Sequence, residues 1–188
     1  MLKIIKMNRP LVRKLILYLA YKLGEMDAPI STIRLIKLLY LIDSKYFEFT
    51  GNLLTNIEWI KYHFGPYFMD WPTIQRSLTI DLDMQEVETE RGRGRTFVTL
   101  DEQKIPSGID KFGNSAIRSI IQKWGGSELD DLLEFVYETS PVKLAEHNQP
   151  LDFSYLTDHL ALRNARLLSE GFISRNDLEK KYGNPFSE

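Results

Sequence analysis

The sequence predicts a mostly helical α+β fold, a single compact helical domain carrying a small antiparallel β-hairpin or sheet. Three observations lead there. Apolar residues recur at helical spacing through most of the chain. Only residues 58–64 and 84–100 lean toward strand, and the second stretch has a Gly-Arg-Gly centre suited to a hairpin. A length of 188 residues with 43% hydrophobic and 12% aromatic content is enough for one core and too short for two domains of ordinary size.

Leu11, Leu15, Tyr18 and Leu19 mark a first helix over Pro10–Leu23, with Pro10 in its first turn and Gly24 as its stop. Leu35, Leu38, Leu39, Ile42 and Tyr46 mark a second, capped by Ser31 or Thr32 and ending before Gly51. Residues 58–64 read as a short strand or extended piece closed by a turn at Gly65-Pro66. Helical spacing resumes over Tyr67–Leu78, where Trp71-Pro72 is either a break or a new first turn. Met84–Thr89 and Thr96–Leu100 form the hairpin, joined by residues 90–95.

Ile117, Ile120, Ile121 and Trp124 then define a helix over Asn114–Trp124 that meets Gly125-Gly126. Ser127 and Asp130 resemble a capping box for a helix through Leu129, Leu132, Leu133 and Val136, closed by Thr139-Ser140-Pro141. The tail offers Tyr155–Leu168 and a last short helix from Ser174, with Asp177 at its capping position.

The net charge of −2 conceals a gradient. Residues 1–46 hold nine Lys/Arg against three Asp/Glu, residues 47–100 five against eight, and residues 101–188 ten against fifteen. The basic first quarter is read as the solvated face of two helices rather than a nucleic-acid surface. The chain has no cysteine, which removes disulfides and thiolate chemistry and fits a cytoplasmic protein. Arg9, Pro10, Arg13 and Lys14 interrupt any signal-peptide core, and Leu15–Tyr21 is far short of the roughly 20 residues needed to cross a bilayer, so no membrane association is expected.

Catalytic motifs are missing. His63, His147 and His159 share no metal-ligand spacing, and no Walker loop, dinucleotide fingerprint or nucleophile elbow is present, so no metal, cofactor or catalytic residue is assigned. His63 beside Phe64 reads as a packed or half-buried imidazole, and the pairs Asp81/Asp83 and Asp130/Asp131 as solvated acids. Arg91, Arg93 and Arg95 would place three guanidinium groups at a hairpin tip, able to grip phosphates or a partner's carboxylates, although Glu86, Glu88 and Glu90 partly cancel their field. A helix-turn-helix is disfavoured by the long Gly24-to-Thr32 connection and by a second helix apolar nearly all round, which must be buried.

Asp43, near the C-terminal end of the second helix, is poorly placed for the helix dipole and needs a specific partner, such as a backbone amide of the following turn or a nearby tyrosine hydroxyl. Gly65-Pro66 would turn Tyr62 and Tyr67 onto a shared surface.

Lys37-Leu-Leu-Tyr40-Leu-Ile-Asp43, then Phe49-Thr-Gly51-Asn-Leu-Leu54, then Trp59-Ile-Lys-Tyr62-His-Phe-Gly65-Pro66-Tyr67, stand in that order. The order resembles the Panacea domain, the SocA-like antitoxin domain related to phage-associated GepA proteins. Phe64 departs mildly from the tyrosine usual there, and the likeness extends weakly to Tyr137–Pro141. It implies a Panacea domain over residues 1–150, with residues 151–188 a helical extension packed on it.

The resemblance also implies a non-enzymatic antitoxin that silences a cognate toxin by direct contact, as in that family, or that delivers the toxin to a cellular protease, as a SocA-like member does. Its candidate binding residues are Lys37, Tyr40, Asp43, Tyr62, Gly65, Pro66 and Tyr67, with Arg91, Arg93 and Arg95 from the hairpin. Two other readings stay open. One is a DNA-binding regulator using the basic helices and the arginine tip; the other is a phage or host-defence enzyme with a cleft near Asp43, His63 and Tyr67.

Overall fold

A computed structural model describes residues 6–89, 92–99 and 101–156. Helix α1 (Arg9–Glu25) starts at Asn8, whose side chain accepts from the Leu11 amide, and Pro10 occupies the first turn. Its apolar face, Val12, Leu15, Ile16, Leu19 and Leu23, is fully buried. Gly24 is not its stop. The helix runs through Gly24, and the chain leaves at Asp27, whose φ of 52° allows the Asp27 and Ala28 amides to reach the carbonyls of Gly24 and Leu23. A short polar residue supplies the left-handed position that glycine usually takes.

Helix α2 (Thr32–Thr50) is the axis of the fold. Ser31 caps it through the Arg34 amide, and Gly51 ends it with φ 69°, both as the sequence predicts. Every residue from Arg34 to Ser44 is buried, the result of packing against α1, α4, α5, both hairpins and the last 3-10 turn. A helix covered on all sides cannot present a face to a DNA groove.

The first hairpin pairs β1 (Ile60–Tyr62) with β2 (Gly65–Tyr67), Tyr62 opposite Gly65. The turn is therefore His63-Phe64, and Gly65-Pro66 is strand instead of turn. Helix α3 (Trp71–Leu78) follows with Pro72 in its first turn, so Trp71-Pro72 begins a helix.

The second hairpin pairs β3 (Leu82–Thr89) with β4 (Gly92–Thr99). Strand β4 starts four residues earlier than the sequence suggests. Arg93 and Arg95 lie in the strand opposite Glu88 and Glu86, while Arg91 falls outside the described residues. Arg93 and Arg95 are therefore ladder residues of β4. Ladder pairing outweighs the glycines' preference for turn, because each paired residue satisfies backbone groups that a loop would leave to water.

Helix α4 (Lys111–Trp124) is capped by Asp110 and lays Ala116, Ile117, Ile120 and Ile121 along α2. Helix α5 (Leu129–Glu138) buries Leu132 and Val136, but no Ser127 capping box forms. The Ser127 hydroxyl instead donates to the Trp124 carbonyl, closing the end of α4. Helix α6 (Ser140–Leu144) and a 3-10 turn (Phe153–Leu156) complete the described chain. The predicted helical tail beyond Leu156 lies outside the described residues. No described helix is long and apolar enough to cross a membrane.

Candidate interaction surface

Lys37, Tyr40 and Asp43 point from α2 into three different neighbours. The Lys37 Nζ donates to the Pro66 carbonyl at 2.9 Å, fastening β2 to the helix. The amine is almost fully buried and has no carboxylate partner among the described residues, so burial pushes its pKa down to about 7. Tyr40 Oη lies 2.8 Å from Thr139 Oγ1, tying the end of α5 to α2, and its ring meets Trp59 edge-on at 5.5 Å. Burial raises the Tyr40 pKa.

Asp43 holds the segment between α2 and β1. Its carboxylate accepts from the Thr55 amide at 3.0 Å, from the Thr55 hydroxyl, and from Trp59 Nε1 at 2.8 Å. A following-loop amide is thus the partner, as expected; the other donors are a threonine hydroxyl and an indole in place of tyrosine. Full burial raises the Asp43 pKa to about 6, and these hydrogen bonds oppose the rise. Asp43 has no solvent contact, which leaves it a scaffold residue.

Gly65 and Pro66 are buried over Lys37. With φ of 84°, Gly65 adopts a conformation that other residues disfavour, and a Cβ there would sit 3.3 Å from the Tyr137 ring and 3.6 Å from Lys37 Nζ. Tyr62 and Tyr67 do reach a shared surface, their rings stacked at 5.5 Å. Tyr62 also contacts His63, at 4.4 Å, and stacks on His147, at 5.8 Å. His63 is packed against the Tyr62 ring, as the sequence allows, but it is exposed rather than half-buried because the tight turn carries it outward.

Around this hairpin stand Phe64, 66% exposed, with Tyr62 and Tyr137 each more than one third exposed. The first hairpin and the end of α5 thereby present aromatic surface to solvent. Arg93 and Arg95 belong to the other hairpin.

Several residues that matter here escaped the sequence reading. Thr55, Trp59 and Thr139 are partners whose roles depend on tertiary contact, and local pattern gives no sign of them. Arg34 had a usable signal, being a charge in a helix apolar all round; it is buried and donates to the Gly125 and Ser127 carbonyls.

Two open grooves border α1. One, of about 500 Å³, is walled by Pro10, Lys14, Tyr46 and Asp110, and the other, of about 770 Å³, by Arg9, Asn56, Phe68 and Met69. Neither has Asp43, His63 or Tyr67 in its wall. The basic first quarter is also partly neutralised, since Arg9 pairs with Asp70 at 2.9 Å and Arg13 with Asp81.

A family model described as antitoxin SocA-like, Panacea domain, matches residues 35–141, more than half of the chain. No curated protein and no solved structure matches it.

Proposed function

The chain belongs to the SocA-like antitoxin family defined by the Panacea domain, and on that premise we propose that it is the antitoxin of a toxin–antitoxin pair, neutralising its toxin by direct contact. The family match carries the reading. The exposed aromatic surface supports it and suggests where contact is made: Tyr62, Phe64 and Tyr137 offer apolar bodies, two of them with polar tips, the side-chain chemistry enriched at protein interfaces. Tyr62 and Phe64 sit on a hairpin that Lys37 and Gly65 hold against α2, and Tyr137 on the end of α5 beside it, so little ordering entropy would be lost on binding.

The test is co-expression with the product of the adjacent gene. Growth arrest by that product alone, relieved by this chain, supports the proposal, and Tyr62→Ala with Phe64→Ala should weaken the relief while leaving the fold intact. Failure of relief with both proteins soluble overturns it. A toxin recovered in a stable complex indicates occlusion, whereas a toxin whose level falls only when a cellular protease is present indicates the adaptor mode.

A further inference from the structure

We propose that His63 and His147 form a two-imidazole site for a borderline divalent transition-metal ion, of which Zn²⁺ is the natural probe. The site goes beyond the antitoxin reading and does not depend on it. The two histidines are far apart in sequence and come from two turns clamped together by backbone. The Asn148 amide donates to the Lys61 carbonyl at 2.7 Å, and the Lys61 amide to the Gln149 carbonyl at 3.0 Å. Lys61 Nζ adds a bond to the Ala145 carbonyl at 2.9 Å. These three bonds flank both rings and fix the distance between the segments.

The imidazole centroids stand 4.8 Å apart with their planes at 45°. A Zn–N bond of about 2.0–2.1 Å puts each ring centroid about 3.2 Å from the ion, and an N–Zn–N angle of about 90–110° then separates the centroids by about 4.5–5.2 Å. The observed separation falls inside that range without movement of either turn. Both side chains are exposed, so either ring can rotate a nitrogen toward a common point. Tyr62 backs the pair, lying nearly parallel to His147 at 15°, which limits the orientations to be ordered on binding.

Two neutral imidazoles suit zinc, nickel or copper and do not suit magnesium or calcium, which require oxygen. Among the described residues no group of three or more His, Cys, Asp or Glu could hold a metal. The described residues therefore contribute two ligands, and water can complete the coordination as in open zinc sites.

Titration of the full chain with Zn²⁺, followed by calorimetry and by the imidazole resonances in NMR, tests the assignment. Saturable uptake of one equivalent is expected, with shifts at His63 and His147. His63→Asn and His147→Asn should each weaken it at least about tenfold, or ~1.4 kcal/mol, and the double variant should lose little more than either single one, since each removes the chelate. Uptake that survives in the double variant, or that is not saturable in the wild type, overturns the site. Unchanged circular dichroism in the variants shows that loss of uptake is not loss of fold.

Discussion

Replacing Lys37 by methionine should stabilise the protein at neutral pH and remove a specific pH dependence. Lys37 is buried, makes one hydrogen bond, to the Pro66 carbonyl, and has its pKa lowered from 10.5 to about 7 by desolvation. Below pH 7 the amine is protonated in both folded and unfolded chains, and its contribution to the slope is flat. Between pH 7 and 10.5 the unfolded chain holds the proton more tightly than the folded one, so stability rises with pH, by up to about 1.4 kcal/mol per unit. At pH 7 the buried amine opposes folding by roughly 4 kcal/mol relative to its neutral form, and at pH 9 by roughly 2.

Methionine fills a similar volume without charge, but it leaves the Pro66 carbonyl without its donor, at a cost of about 1–3 kcal/mol. Lys37→Met should therefore be more stable than wild type by on the order of 1–3 kcal/mol at pH 7. The difference between the two proteins should shrink by roughly 2 kcal/mol on going to pH 9. Urea denaturation of both proteins at pH 7, 8 and 9, followed by circular dichroism, measures that difference and cancels the titration of groups they share. A gap that stays constant from pH 7 to pH 9 would show that Lys37 is not held as a desolvated amine, and the reasoning would fail.

Other buried polar anchors should behave in graded fashion. Asp43→Ala leaves the Thr55 amide and the Trp59 indole nitrogen without an acceptor, and should cost at least about 3 kcal/mol in urea denaturation. The folded Asp43 pKa is raised to about 6, so its contribution to stability is fully present below about pH 4 and is lost as pH rises to 6; Asp43→Asn should abolish that slope. Tyr40→Phe removes the bond to Thr139, whose hydroxyl keeps its contact with the Val136 carbonyl, and should cost about 1 kcal/mol by the same assay. Gly65→Ala forces a side chain into a left-handed position against Tyr137, and a thermal melt should show about 1–3 kcal/mol of destabilisation.

What was legible in the sequence depended on how local its cause was. Helix α2 and its caps could be read because Ser31 and Gly51 act within four residues of the helix ends they close. Its burial could be read because an apolar helix with no polar face has nowhere else to go. The Gly65-Pro66 turn was misplaced because both residues favour turns locally, whereas the fold uses Gly65 for the close approach of Tyr137 and Lys37 to its backbone. Arg93 and Arg95 look like tip residues for a similar reason, since their register with Glu88 and Glu86 is decided by the partner strand. Asp43's need for a partner was visible, but Trp59 as a donor was not, because indole nitrogens show their hydrogen bonds only in three dimensions.

The residues that carry the family likeness divide into a buried set and an exposed set. Lys37, Tyr40 and Asp43 are spaced three apart on α2, and each secures a separate segment: β2, the end of α5, and the stretch leading into β1. All three are buried, as are Gly65 and Pro66, so none can distinguish one partner from another by direct contact. Their combined effect is to fix the first hairpin and the end of α5 side by side. Exposed side chains on that platform, Tyr62 and Phe64 among them, can change without disturbing the anchors beneath, because neither takes part in the hydrogen bonds that Lys37, Tyr40 and Asp43 make. A fold built this way can keep one interior and accept differently shaped partners. By the same logic, the interior fixes the scaffold, and under the proposed function the choice of toxin falls to the exposed hairpin surface.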